Sequence, residues 1–167
     1  SVEGHADYMR LERKKKELEE QFAQIEREEH EIGELDSARK ELLIKLNTNR
    51  MEIFKLRKDF IQRTNKSLNE FVRIKIEYEM DNSNYIRYLV DDVLSSSDYR
   101  INKSSRELVA RKIHPLHLAE LAKQGDTDTL SDKTDLSLEL VEKVITLVGP
   151  KIYEIETVYL EDKITIE

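Results

Sequence analysis

Two histidines, His114 and His117, stand three residues apart, a spacing that on one helix can hold a metal. Pro115 lies between them and disfavours helix at His114 while opening a new one, so the pair is not expected to share a helical face. No third ligand is near, and ordinary packing or surface histidines are the expectation. Asp126, Asp128, Asp132 and Asp135 invite a calcium reading. Counted from Asp126, the fifth and sixth positions are Leu130 and Ser131, where a calcium loop needs an oxygen ligand and a glycine, so the pattern fails. A solvated acidic loop over 126–134 is expected instead. Asp91-Asp92 has no neighbour that would make it catalytic. The four glycines form no phosphate-binding loop, and no nucleophile elbow or H-E-x-x-H is present. The chain has no cysteine, which excludes disulfides, thiolate zinc sites, iron–sulfur clusters and cysteine nucleophiles. That is compatible with a reducing, cytoplasmic setting. The sequence predicts no catalytic, cofactor-binding or metal site in this chain and no ATP hydrolysis by it.

What the sequence does organise is a seam. Leu11, Leu18, Ile25, Ile32, Arg39, Leu46, Ile53 and Phe60 recur every seven residues and are apolar except for Arg39. Such a repeat marks one side of a helix that supercoils against a partner. With that row at position a, position d is polar at Lys14, Gln21 and Glu28, turns apolar at Leu35 and Leu42, and continues to Asn49 and Leu56. Phe22 widens the early stripe. Lys, Glu, Leu, Arg and Gln dominate from Tyr8 to Leu68, and only Gly33 interrupts them. About sixty residues of helix would span roughly 90 Å. A parallel pair would stack Arg39, Asn49 and Glu28 on themselves. An antiparallel homodimer avoids this and is the expected partner arrangement. The basic cluster Arg10, Arg13, Lys14, Lys15 and Lys16 reads either as a solvated helix face or as a contact to nucleic-acid backbone.

The net charge of −7 argues against a general nucleic-acid-binding surface, and charged and hydrophobic residues each make up 38%. No run is apolar enough for a membrane helix, and no signal peptide is visible. The period changes at Glu70: Val72, Ile74, Ile76, Tyr78 and Met80 alternate with charged residues, which predicts a strand with its apolar face toward helices. Ile86, Leu89, Val90 and Val93 give an amphipathic helix. Short helices are expected from Ser104 to Ile113, from Pro115 to Gly125, and from Ser137 to Leu147. Ile155–Leu160 and Lys163–Glu167 read as a C-terminal hairpin. The predicted fold is therefore α+β: a coiled-coil arm over 1–69 and a small α/β subdomain over 70–167. The opening lacks a starting Met and the end falls on an apolar strand, so the chain is expected to be a piece of a longer protein.

The segments Val72–Ile76, Asp81–Tyr85, Ile113–Leu121 with Gly125-Asp126, Ile152–Ile155 and Leu160–Ile166 resemble the second half of an SMC-like ABC ATPase. The likeness is narrowest to coiled-coil ATPases of the TrlF type, which occur with PHP-type phosphoesterases. The resemblance implies a returning coil arm and the start of a C-terminal head lobe. It implies as partners an outgoing arm and an N-terminal head lobe, with ATP and magnesium bound elsewhere in the whole protein. It further implies mechanical coupling to a nucleic-acid or effector target, in DNA repair or defence. No nucleotide-contacting residue of that family has a counterpart here. The alternative is a non-enzymatic coiled-coil oligomerisation protein.

Overall fold

The computed structural model describes residues 2–68 and 71–167, so the expected change of period at Glu70 lies outside the described residues. The chain divides into two compact units, Ser1–Thr48 and Asn49–Glu167, and the division falls inside a helix. That helix, α1, runs Val2–Ser67 and is 66 residues long. Helix-favouring residues and i,i+4 pairs such as Lys15–Glu19 sustain it, and Gly33 does not break it. The first unit consists of α1 residues alone, and the second adds the rest of the chain to the last third of α1.

In the second unit β1 (Ile74–Asp81) is followed by α2 (Ser83–Arg87), which tightens into a π-helical turn over Tyr88–Val93. Then come α3 (Lys103–Lys112), α4 (Pro115–Gln124), α5 (Thr127–Thr134), α6 (Leu138–Val148) and α7 (Ile152–Glu156). β2 (Glu161–Ile166) returns antiparallel to β1. The architecture is α+β, as expected from the sequence.

Two expectations need correcting. Residues 155–160 are not the first strand of a hairpin. A 3₁₀ turn at Gly149–Lys151 runs directly into α7, and Ile155 is fully buried there. β2 finds its partner in β1, some ninety residues away in sequence, with Ile74 opposite Ile166 and Ile76 opposite Ile164. Nor are residues 126–134 a solvated loop. Asp126 caps α5 by accepting the Thr129 N–H at 3.0 Å, and Leu130 and Thr134 are fully buried. The cap holds the Asp126 carboxyl below its ordinary range. Its contribution to stability is therefore complete above the unfolded-state value and is lost as the pH falls through the folded one.

The core belongs to the helices. Leu89, Val109, Leu118, Leu130, Val141, Val144, Val148 and Ile155 are all fully buried. The Tyr85 hydroxyl, buried among them, donates to the Ile113 carbonyl at 3.1 Å. The π turn closes with the Leu94 N–H on the Leu89 carbonyl, and Arg106 donates to the Val90 carbonyl at 2.6 Å. The two-stranded sheet lies outside this core: Ile74, Ile76 and Tyr78 are half-buried, and Ile164 and Ile166 are exposed.

Candidate functional site

The described residues contain no grouping of three or more His, Asp or Glu side chains able to hold a metal. His114 caps α4 through its Nδ1, and its Nε2 lies 3.5 Å from Glu79, while His117 lies 3.9 Å from Glu120. Asp91 and Asp92 are exposed on the π turn. Arg10, Arg13, Lys14, Lys15 and Lys16 are all exposed on α1, with Lys15 paired to Glu19 at 3.6 Å.

The seam residues also stand in water. Leu11, Leu18, Ile25, Ile32, Leu35, Leu42, Leu56 and Phe60 are each more than half exposed. Ile53 is 47% exposed, and Leu46 is half-buried. Leu11, Leu18 and Phe22 form a continuous apolar shelf flanked by Lys14 and Lys15.

The last third of α1 presents a second, different face. Arg50, Phe54, Arg57 and Asn65 follow a helical spacing of four, three and eight, and each grips the sheet or the segment leading into it. Arg50 donates to the Thr157 carbonyl at 3.0 Å, and its guanidinium sits 5.2 Å from the centre of the Tyr159 ring. Phe54 meets Tyr78 edge-on with ring centres 5.0 Å apart, and burial pushes the Tyr78 phenol up to about 12. Arg57 pairs with Asp162 at 2.9 Å, and that bond raises the pKa of the guanidinium further. Asn65 both accepts the Ile74 N–H at 2.9 Å and donates to the Ile74 carbonyl at 2.8 Å, standing where a third strand would.

Asp162 is the most buried charge of this joint, with its side chain 5% exposed. Besides Arg57 it accepts the Glu79 N–H at 3.3 Å. Glu79 adopts a left-handed conformation (φ 51°) within the irregularity that shifts the strand register between Glu77 and Asp81. For a residue with a Cβ that conformation costs on the order of 1 kcal/mol or more, so it needs such an anchor. Asp162→Ala is expected to lower stability by about 1–2 kcal/mol, reduced from the full value of a charged hydrogen bond because Arg57 is half exposed. Urea midpoints and faster amide exchange at Glu79 are the readouts. An unchanged exchange rate there would exclude this role.

Reasoning from the sequence missed Arg50, Arg57, Asn65 and Asp162 because none belongs to a motif. The one available signal was the helical spacing of Arg50, Phe54 and Arg57 beside, and not within, the heptad rows. No family model, curated protein or solved structure matches this chain.

Proposed function

We propose that this chain is the arm and head-lobe segment of an SMC-like ATPase, converting movement of a head into movement of a coiled-coil arm. The observation that carries the reading is the division of labour on α1. The helix grips its own sheet through Arg50, Phe54, Arg57 and Asn65, while Ile53, Leu56 and Phe60 remain exposed for a different partner. In the whole protein that partner is the outgoing arm, and ATP and magnesium act at a head to which this chain contributes no nucleotide-binding motif. The target is a nucleic acid or a bound effector, and the setting is cytoplasmic. Among the described residues no helix is long and apolar enough to cross a membrane.

In isolation the seam takes a second copy, antiparallel, with the two second units at opposite ends. Analytical ultracentrifugation should give a dimer at tens of micromolar. Leu11→Cys should not cross-link to itself. A monomer, or efficient Leu11→Cys self-linking, overturns the arrangement. The ATPase assignment is tested separately in the coding sequence: a Walker A motif upstream and an L-S-x-G-Q signature shortly downstream support it. Their absence leaves a structural oligomerisation protein.

A further inference from the structure

Between the end of α1 and the strand edge it covers lies an open groove of about 340 Å³. One wall is Lys58, Ile61 and Gln62, a turn or two before Asn65 on α1. The other is the start of β1, where Arg73 and Lys75 flank Ile74. Among the described residues of the lining Glu167 is the acidic one, against three basic ones, in a chain whose net charge is −7. A cationic groove on an acidic protein concentrates anions locally.

Among the described residues two of the three cations are available. The Lys58 ammonium lies 6.0 Å from the centre of the Phe54 ring and makes no ion pair among the described residues. Among the described residues the Arg73 guanidinium and the Gln62 amide make no hydrogen bond or ion pair, whereas Lys75 is paired with Glu77 at 3.3 Å. The strand edge adds a backbone donor. Arg73 and Glu167 exchange both backbone hydrogen bonds at 2.8 Å, so by antiparallel alternation Ile74 and Ile76 turn their N–H and C=O away from β2. Asn65 takes the Ile74 groups. The Ile76 N–H, next along the same edge, has no side-chain partner among the described residues, and Ile76 is part of the groove lining.

From these groups we infer that the groove binds a small phosphate monoester, with the phosphate held by Arg73 and Lys58. A forked guanidinium, an ammonium group and a strand-edge N–H supply donors to a tetrahedral oxyanion. The side chains of Ile61, Ile74 and Ile76 give a short apolar body somewhere to rest. A ligand there bridges α1 to β1 and tightens the joint. This inference does not depend on the ATPase reading.

The test titrates the full chain with phenyl phosphate and, separately, with inorganic phosphate, at constant ionic strength, following backbone and side-chain amides by NMR. Saturable shifts at Gln62, Asn65 and Ile76 are expected. Arg73→Gln and Lys58→Gln should each weaken binding by about tenfold or more, as for loss of a charge-assisted contact. Tighter binding of phenyl phosphate identifies an ester site, and equal binding assigns the groove to the bare phosphate group, which overturns the monoester assignment. Shifts that do not saturate, that survive Arg73→Gln, or that fall equally when Lys14, Lys15 and Lys16 are changed to Gln overturn the site altogether. Both groove substitutions fall on side chains outside the core, and circular dichroism verifies that each variant folds.

Discussion

Leu118→Asp is expected to unfold the helical body of the second unit. Leu118 lies on α4, fully buried, and α4 packs against α5, α6 and α7. Leu118→Ala alone should cost about 2–5 kcal/mol through lost burial and the cavity left behind. Aspartate adds an unpaired charge with no partner in reach, worth several kcal/mol more. A domain is typically stable by roughly 5–15 kcal/mol, so the sum takes most or all of it. The buried Tyr85 should lose its near-ultraviolet dichroism, and the cooperative urea transition should vanish. Ile74→Asp provides the contrast. The sheet stands outside the core and Ile74 is only half-buried, so the strands should separate while the Tyr85 signal persists. Equal damage from both substitutions would mean that sheet and helices fold as one.

Ile25→Lys combined with Ile32→Lys should weaken self-association by about a hundredfold or more. Each large apolar side chain is worth roughly 1.5–3 kcal/mol when buried, and a paired seam buries these positions in both copies. Both residues are more than half exposed in the single chain, so the change should leave α1 helical. Leu138→Lys is the control: Leu138 is also about half exposed, at 51%, but belongs to α6 and not to the heptad rows. Sedimentation equilibrium of the three proteins decides the matter. An unaltered dimer in the double variant would exclude the heptad seam as the interface.

Elements whose reason for existing is local could be read from the residues. The long helix follows from helix-forming residues in unbroken succession, β1 from strict alternation, and α4 from Pro115 at its start and Gly125, left-handed, at its end. Elements that depend on distant partners could not. Ile155-Glu156-Thr157-Val158 has strand-like chemistry, yet Ile155 fills the helical core and the preceding turn is already wound. Residues 126–134 are polar enough for a loop, and only the burial of Leu130 and Thr134 makes them a helix. The compact units divide near Thr48 although the apolar repeat continues across that point, because the docking face is a separate row of residues. The groove was hidden for the same reason: Lys58 and Arg73 come to line one groove only once β1 lies beside the end of α1.

The pairing of Arg73 with Glu167 has a mechanical consequence. β1 begins at the same end of the sheet where β2 finishes, with Arg73 opposite Glu167. A pull applied between α1 and Glu167 would therefore load the strand ladder at that end and break its rungs one after another, as a zipper opens. It would not shear them all together. Sequential rupture needs little force and reseals readily. The Asn65 clasp on Ile74 and the Arg57–Asp162 pair then act as successive latches along the tearing line. Tension on this joint would be registered in steps, at low force and reversibly.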